Sequence, residues 1–248
     1  MDLGLGGRAV LVTGASRGIG FGIARALAAE GARVAISSRS ADRIERAGEE
    51  IGARTYVFDS ADLDAAAALV RRVEEDLGPL DVLVTNTGGP PGGDPLSFGR
   101  DQWKAAYRDL VLAPLALIDA AVPGMRERGF GRIVNVASTA VREPIGPLIL
   151  SSSHRSATLA AFTTLAHRLA ADGITLNTLL PGRIATDRLG EIHGSLDAAE
   201  AEAREQVPAG RLGRVEEIAA AGVFLCSVQA GYVTGVALPV DGGLMRSI

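Results

Sequence analysis

The chain has 248 residues, of which 47% are hydrophobic and 22% charged, and its formal net charge is −4 at neutral pH. This balance is typical of a soluble globular protein with a substantial core, and the length suits one large α/β domain or two small ones. The slightly negative charge argues against binding to nucleic acid or to anionic lipid.

Cysteine and histidine usage narrows the possible kinds of site. Cys226 is the single cysteine and lies in an apolar helical run, so it is interpreted as a core residue rather than as a nucleophile. The histidines are scattered, which predicts no metal site. No apolar stretch has the length of a membrane span, and the first residues lack the pattern of a signal peptide. We therefore expect a cytoplasmic protein without a metal.

Short apolar runs rich in valine and isoleucine alternate with longer helical patterns along the chain. In chain order, the candidate strands are RAVLVTG, RVAISS, RTYVFD, LDVLVTN, GRIVNVAS, GITLNTLLPG and GVALPVDGG. Runs that are apolar on both faces suit buried parallel strands, and strict β–α alternation favours helices on both faces of the sheet. The sequence predicts a single α/β domain over residues 1–248, with a Rossmann-type doubly wound parallel sheet of about seven strands.

Two segments interrupt this alternation. The segment GGPPGGDP, at 88–95, cannot sustain a helix or a strand. It follows the carboxyl end of a candidate strand, where ligands bind in sheets of this type. The polar and loosely helical residues 183–212 are interpreted as a flap over a substrate site, and a plain surface excursion is the alternative.

The segment TGASRGIG directly follows the first candidate strand and opens a helix. Gly14 permits the sharp turn, while Gly18 and Gly20 remove Cβ atoms where the backbone approaches a phosphate or packs against the sheet. The following helix would point free N–H groups and the positive end of its dipole at a pyrophosphate. The sequence thus predicts a dinucleotide site. The other residues that this turn would present to the cofactor are Ser16, Arg17 and Ile19.

The Gly-x-x-x-Gly-x-Gly spacing resembles that of the short-chain dehydrogenase/reductase family, and the resemblance extends over nearly the whole chain. NTGG at 86–89 stands where the family usually has Asn-Asn-Ala-Gly, and IVNVAS ends in Ser138, at the usual position of the catalytic serine. The end of the chain is similar to that of bacterial 3-oxoacyl-carrier-protein reductases. The resemblance implies an oxidoreductase that acts on a small carbonyl or alcohol substrate. It also implies assembly into a dimer or tetramer through the helices at 101–127 and 156–171.

Further cofactor contacts are implied by the same resemblance. The segment NTLLPGRIATD matches the family's Pro-Gly segment, whose Ile184 and Thr186 would reach the nicotinamide amide. Asp59 would accept a hydrogen bond from the adenine amino group, with a helix cap as the alternative. The remaining residues that the resemblance places at the cofactor are Ser60, Asn86, Gly88, Pro181 and Gly182.

The end of the second candidate strand bears on which nicotinamide cofactor is used. An NAD site needs a carboxylate about 20 residues beyond the glycine turn, which accepts from the ribose 2′-OH. Ser37 and Ser38 stand there instead, and Arg39 follows. A carboxylate would repel a 2′-phosphate, whereas Arg39 and Arg17 attract one. The sequence therefore predicts NADP(H), and a solvated loop arginine is the alternative for Arg39.

The catalytic segment departs from the family pattern. Family members carry a tyrosine that transfers a proton, and a neighbouring lysine that lowers the tyrosine pKa and binds the nicotinamide ribose. These positions hold Ser151 and Arg155, and the position of the family's asparagine holds Leu110. Arg155 can donate to ribose hydroxyls, but it stays charged and cannot relay a proton. We take Ser138, Ser151 and Arg155 as the candidate catalytic residues.

His154 is the only nearby side chain of a type that titrates near neutral pH. Because it precedes Arg155 on a helix, its ring is expected to point away from the nicotinamide, and a partly exposed helix histidine is the alternative to a catalytic one. Three functions stay open: an oxidoreductase with an altered proton relay, an NADP(H)-binding protein without turnover, and an isomerase or cyclase. Ser138 and the Pro-Gly segment favour the first, and the lost tyrosine and lysine favour the other two.

Overall fold

The computed structural model describes residues 1–247, whose strands form one parallel sheet of seven. The strands are β1 (Ala9–Val12), β2 (Arg33–Ser38), β3 (Arg54–Val57), β4 (Leu80–Thr85), β5 (Gly131–Val136), β6 (Ile174–Pro181) and β7 (Ala237–Val240). They lie in the order β3-β2-β1-β4-β5-β6-β7, so the chain starts near the centre and builds one half of the sheet before the other. This arrangement confirms the predicted Rossmann-type fold; Ile248, the last residue of the predicted domain, lies outside the described residues.

Helices cover both faces of the sheet and bury two apolar clusters. The helices are α1 (Gly18–Ala29), α2 (Ala41–Ile51), α3 (Ala65–Leu77), α4 (Arg100–Tyr107), α5 (Ala113–Arg128), α6 (Ile149–Leu169), α7 (Asp187–His193), α8 (Leu196–Gln206) and α9 (Val215–Cys226). Successive side chains of a strand point to opposite faces, so Val10 and Val12 join the cluster beneath α1 and α9, while Leu11 joins the one beneath α3, α5 and α6. Within residues 1–247 no helix combines the length and the apolar character needed to cross a membrane.

A π-helical turn, Arg108–Leu112, joins α4 to α5 within what the sequence suggests is one long helix. Such a turn inserts an extra residue and breaks the regular hydrogen-bond ladder. The carbonyl oxygen of Leu110 accepts from Thr158 Oγ1 on α6 at 2.6 Å. The Leu110 side chain is buried, so it belongs to the core of this chain and not to its surface.

Residues 183–212 form an ordered pair of short helices, α7 and α8, beside the carboxyl end of the sheet. Ala199 and Ala203 of α8 pack with Val207 and Leu212 in a small apolar cluster of their own. Because this cluster is separate from the two main ones, only a few local apolar contacts hold the pair of helices α7 and α8 in place. That it moves as a flap stays a prediction.

Candidate active site

The carboxyl ends of the central strands open into one cavity of about 450 Å³. It lies where the strand order reverses, between β1 and β4, which is where open α/β sheets bind their ligands. Its walls come from the glycine turn, the loop after β4, the start of α6 and α7. The sequence-predicted residues that line it are Gly14, Arg17, Gly18, Ile19, Arg39, Asn86, Gly88, Ser138, Ser151, Arg155, Pro181 and Thr186.

The glycine turn is locked against the loop after β4 by hydrogen bonds. Asn86 Nδ2 donates to the Gly14 carbonyl at 2.9 Å, and Thr13 Oγ1 donates to the Asn86 carbonyl at 3.1 Å. Gly14 has a φ of +57°, and a Cβ there would lie 2.4 Å from the Asn86 carbonyl oxygen. A Cβ at Gly20 would lie 2.6 Å from Asn86 Nδ2. Contacts with Asn86 therefore leave no room for a side chain at Gly14 or Gly20. Gly20 packs against Asn86 and does not line the cavity.

A smaller cavity adjoins the glycine turn at the end of β2 and is lined by both Ser16 and Ser60. Ser38 Oγ donates to the Ser40 carbonyl at 3.2 Å and thereby shapes the start of α2. Arg39 and Arg43 also line this cavity, and Arg39 has no ion-pair partner among residues 1–247. Arg43 was not predicted from the sequence; it lies in the first turn of α2, four residues beyond Arg39, which precedes the helix.

Asp59 lies beyond this cavity, against the loop after β4. Asp59 lines a third cavity together with Ser60 and Arg39. It also accepts from the Ala61 backbone N–H at 3.0 Å. This contact is a turn within the loop and not the helix cap that was the alternative, because α3 begins only at Ala65. Asp59 is thus left at the border of a cavity, and its contact with an adenine stays a prediction.

Arg17 is held by acidic residues on α7. Its guanidinium lies 2.9 Å from Asp187 and 3.4 Å from Glu191, and all three side chains are exposed. These ion pairs connect the glycine turn to the helical pair over residues 183–212. The positive charge that the sequence assigned to a 2′-phosphate is thus already matched by two carboxylates.

The candidate catalytic residues lie at the end of β5 and in the first turns of α6. Ser138 Oγ accepts from the Ala140 backbone N–H at 3.1 Å. Arg155 Nε donates to Ser151 Oγ at 3.2 Å, and its Nη1 donates to the Val136 carbonyl at 2.7 Å. Burial lowers the pKa of Arg155 to about 10, with a smaller contribution from the like charge of Arg188, so the guanidinium is protonated at neutral pH.

His154 faces away from the cavity. Its Nδ1 lies 2.7 Å from the Leu150 carbonyl oxygen, and its ring packs against Trp103 and Tyr107 of α4 at centroid distances of 5.4 and 6.1 Å. The side chain is buried, which corrects the interpretation as a partly exposed histidine. The structure therefore places His154 in the contact between α4 and α6.

Two residues of the Pro-Gly segment also lie off the main cavity. A Cβ at Gly182 would come within 2.6 Å of Asp241 Cβ, so this glycine allows close packing against the loop after β7. Ile184 is buried in the core and lines a separate cavity of about 140 Å³ beside Arg183 and Arg211. Neither Gly182 nor Ile184 lines the main cavity.

Arg188 of α7 lines the main cavity but was not predicted from the sequence. Its Nη2 donates to the Pro90 carbonyl at 2.8 Å, which joins α7 to the glycine- and proline-rich loop. The only sequence signal for a site residue here is its place just after the Pro-Gly segment. Whether an arginine at that place reaches the cavity depends on how the chain folds after β6. The other lining residues that were not predicted as site residues are Thr87, Gly89, Pro90, Val136, Ala137, Leu148, Asp187, Glu191 and Ile192.

This chain is similar to known proteins over nearly its whole length. A family model described as enoyl-(acyl carrier protein) reductase matches residues 14–245. The acetoacetyl-CoA reductase of Shinella zoogloeoides is 36% identical, over 95% of this chain and 98% of that protein. The NADPH-dependent reductase BacG of Bacillus subtilis is 34% identical, over 97% and 99%. The crystal structure of L-sorbose reductase from Gluconobacter frateurii, complexed with NADPH and L-sorbose, shares 32% identity with a TM-score of 0.91, and each chain covers 100% of the other.

Proposed function

The chain belongs to the short-chain dehydrogenase/reductase family, and from this premise we propose that it is an NADP(H)-dependent oxidoreductase acting on a small carbonyl or alcohol substrate. The observation that carries the proposal is the glycine turn locked against Asn86, because it opens into the cavity that also contains Ser138, Ser151 and Arg155. The cofactor cradle and the candidate catalytic side chains thus share one space.

The residues present fit a dinucleotide. Gly14 and Gly18 both have positive φ and carry no Cβ, which leaves backbone N–H groups at the start of α1 accessible to a pyrophosphate. Ser138 and Arg155 lie at the far end of the same cavity, where the nicotinamide would be held. When bound, NADPH supplies a hydride to a carbonyl carbon, while the carbonyl oxygen takes up one proton to give the alcohol.

Selection of NADP(H) over NAD(H) is proposed to depend on the end of β2 and the start of α2. No carboxylate is present between Ser37 and Ala41, so nothing there would repel a 2′-phosphate. Arg39 and Arg43 line the cavity at this point, and each can give a charge-assisted hydrogen bond. We assign Arg17 a lesser role, because two carboxylates already bind it.

The proposed proton path uses hydroxyl groups and a fixed positive charge. Ser151 Oγ accepts from Arg155 Nε, so its own hydrogen is free to point elsewhere, including toward a substrate oxygen. The guanidinium would stabilise negative charge that develops on Ser151 Oγ, and Ser138 would donate a second hydrogen bond to the substrate. Loss of a well-matched proton donor typically slows a reaction by about 10²–10⁴-fold. Slow turnover of simple ketones is therefore expected.

A second candidate function is an NADP(H)-binding protein that turns over no substrate. It is favoured by the composition of the main cavity, whose lining among residues 1–247 contains neither tyrosine nor lysine. An isomerase or cyclase that reuses the pocket would share this composition. We place both behind the oxidoreductase, because Ser138 still lines the cavity.

The proposed oligomer is a dimer or a tetramer built on the outer faces of α5 and α6. The exposed side chains of α6 include Ala157, Ala160 and Thr164, which are small enough for two helices to approach closely. Light scattering at micromolar concentration should give two or four times the 25.5 kDa mass of the chain. A monomer mass would refute this part of the proposal.

The test of the proposed function has two stages. Titration should show NADPH binding at least about tenfold tighter than NADH, which corresponds to about 1.4 kcal/mol. Single-turnover mixing of the NADPH complex with a panel of ketones and oxo acids should then show loss of the NADPH absorbance in step with alcohol formation. Tight NADPH binding without oxidation across the panel would favour the binding protein instead, and absence of NADPH binding would refute both.

A further inference from the structure

Residues 241–247, which we call the strap segment, follow β7 and lie between two walls of the main cavity. One wall is α7, whose residues Asp187 and Arg188 line the cavity and which packs against α8. The other wall includes Ser138, at the end of β5, and Leu148, just before α6. The strap segment contacts the supports of both walls, so it can connect them.

One end of the strap segment is packed against the helical pair α7 and α8. Leu244 lies against the small apolar cluster that includes Ala203 of α8 and Val207. The Ala209 N–H donates to the Gly242 carbonyl at 3.0 Å. Gly242 has a φ of +65°, and a Cβ there would lie 2.9 Å from Val207 Cγ1. The backbone of the strap segment therefore approaches this pair closely.

The first residue of the strap segment sets its shape. Asp241 Oδ1 accepts from the Gly243 N–H at 3.0 Å, and Asp241 Oδ2 accepts from the Met245 N–H at 2.9 Å. Both carboxylate oxygens thus bind backbone groups of the same short segment. The segment is bent by its own hydrogen bonds, and a pull on one end is passed to the other.

A single carboxylate binds the other end of the strap segment. Glu143 Oε1 accepts from the backbone N–H groups of Arg246, at 2.7 Å, and of Ser247, at 2.8 Å. These two hydrogen bonds are the main causes that lower the pKa of the Glu143 carboxyl, so it is ionised at neutral pH. Because both donors are backbone groups, replacing the Arg246 side chain leaves them in place.

Glu143 also belongs to the turn that holds Ser138. The Glu143 N–H donates to the Thr139 carbonyl at 3.1 Å, and the Val141 N–H donates to the Ser138 carbonyl at 3.2 Å. Within the same turn, Ser138 Oγ accepts from the Ala140 N–H at 3.1 Å. The carboxylate that binds the strap segment therefore lies on the turn that orients the Ser138 hydroxyl.

We propose that the strap segment couples the helical pair α7 and α8 to the Ser138 turn, and that Glu143 is a positioning residue that acts through this contact. A shift of the helical pair then moves the Ser138 hydroxyl within the main cavity. A misplacement of about 1 Å in an active site can slow a reaction about 10²-fold. The part of the inference that concerns catalysis rests on the proposed function, whereas the coupling itself needs no cofactor.

Amide hydrogen exchange of the protein without cofactor measures the coupling, because amides exchange through local opening. Glu143→Ala should raise exchange at least about threefold at 139–143 and also in the distant α8. Leu244→Ala should raise it in α8 and also at 139–143. Glu75→Ala is the matched control, since Glu75 is exposed on α3. A rise confined to the substituted end in either variant would overturn the coupling.

Further variants separate the backbone contact from the side chains. Arg246→Pro removes one donor and should reproduce much of the effect of Glu143→Ala, whereas Arg246→Ala keeps the donor and should leave exchange unchanged. Glu143→Gln retains an acceptor oxygen and should retain part of the protection. Equal exchange in Arg246→Pro and Arg246→Ala would overturn the assignment of Glu143 as the anchor.

Kinetics test the positioning role. Glu143→Ala should lower kcat on ketones at least about fivefold and change the Kd of NADPH less than about twofold, because the strap segment lies apart from the glycine turn. An unchanged kcat would overturn the positioning role.

Failure of this inference can be separated from failure of the proposed function. A protein that binds no NADPH would refute the proposed function and leave the exchange test of the coupling intact. A protein that reduces ketones with NADPH, but shows only local rises in exchange, would refute the coupling and leave the oxidoreductase standing.

Discussion

A buried arginine lies at each end of β5, neither of them has a carboxylate partner within residues 1–247, and the two are satisfied differently. Arg132, at the amino end, donates to the carbonyls of Ser227, Gly131 and Gly173 and is 4% exposed. Its guanidinium also stacks on Phe130, 4.4 Å from the ring centroid. At the carboxyl end, Arg155 donates to the Val136 carbonyl and to one hydroxyl group and borders the large cavity.

This difference separates a structural charge from one that is available to a ligand. Three carbonyl oxygens accept hydrogen bonds from Arg132, so the fold itself replaces much of the water that the cation loses. Neither arginine has an acceptor for its Nη2 among residues 1–247, but only Arg155 lines the large cavity, and it has one carbonyl acceptor where Arg132 has three. An incompletely satisfied buried cation is costly, and such groups cluster at functional sites. The predictions below test whether this contrast holds, from the largest expected effect to the smallest.

Replacing each arginine by methionine should change the free energy of unfolding by very different amounts. Arg132→Met should lower the free energy of unfolding by about 4 kcal/mol, because buried carbonyls that lose their donor cost about 1–3 kcal/mol each. Arg155→Met should stay within about 1 kcal/mol of the unmodified protein or exceed it, because it removes a buried charge. Urea unfolding of both variants gives the comparison, and equal losses would show that the two ends of the strand do not differ.

Two glycines allow the same contrast to be tested on the backbone. Gly14 and Gly173 both have positive φ, and a Cβ would lie 2.4 Å from the Asn86 carbonyl oxygen in one case and 2.2 Å from the Gly129 carbonyl oxygen in the other. Substitution by alanine should lower stability by about 2–4 kcal/mol at either site, from left-handed strain plus overpacking.

Only Gly14→Ala should also reduce NADPH affinity, because Gly14 belongs to the carboxyl end of the sheet. Fluorescence titration at a temperature where both variants are folded makes the measurement, and Gly173→Ala is the control. Loss of affinity in Gly173→Ala would mean that the cofactor site depends on the opposite end as well.

Arg39→Asp should weaken NADPH binding by about ten- to a hundredfold while leaving NADH binding nearly unchanged. The reason is loss of one charge-assisted hydrogen bond, worth about 1.5–3 kcal/mol, together with repulsion of the 2′-phosphate. Arg46→Asp provides the matched change of charge on α2, where the Arg46 side chain is exposed and bonds the Asp42 carbonyl. An equal loss of affinity for NADPH and NADH in Arg39→Asp would contradict a role of Arg39 in selecting NADP(H).

Ser151→Tyr combined with Arg155→Lys should raise kcat on neutral ketones about tenfold or more, since it restores a titratable proton donor and a cation that tunes it. Affinity for NADPH should change less, because the glycine turn and Arg39 are untouched. Steady-state rates of the unmodified and doubly substituted proteins make the comparison. Turnover by the unmodified protein within the ordinary enzyme range of about 1–10³ s⁻¹ would show that another group already supplies the proton.

The smallest effect concerns the helical pair over residues 183–212 and its dependence on pH. Arg183 donates to Glu202 at 2.8 Å and lowers the pKa of that carboxyl below its usual 4.5. A carboxyl with a lowered pKa stabilises the fold above pH 4.5, and this contribution disappears as the pH falls below it. The urea midpoints of the unmodified protein and Glu202→Gln should therefore differ slightly at pH 7 and converge as the pH falls below 4.5. A gap that widens in acid would contradict the assignment.

The sheet and the cofactor turn could be predicted from the sequence because both depend on local chain chemistry. Apolar runs such as that of β4 must be buried on both faces, and Gly14 marks a turn that few other residues can make. The structure confirms the predicted sheet over all seven strands, from β1 to β7. Features that follow from backbone conformation can thus be inferred from spacing alone.

The contacts of the site could be predicted less well, because they join distant parts of the chain. Arg188 reaches Pro90 across 98 residues, and Arg17 reaches Asp187 across 170. No local pattern specifies such pairs. His154 was left open for a similar reason, since its burial depends on where Trp103 and Tyr107 of α4 are placed.

The π-helical turn at Arg108–Leu112 gives this part of the chain a tolerance of change in length that the flanking helices lack. The wide turn holds one residue more than an α-helical turn does, so deletion of one residue within it would leave a regular α-helix and keep α4 and α5 at nearly the same relative rotation. A deletion within α4 or α5 would instead rotate the residues on one side of it by about 100°. Either Trp103 and Tyr107 would then leave His154, or the buried face of α5 would leave the sheet. A single-residue deletion should therefore be tolerated better in this turn than in the helices beside it.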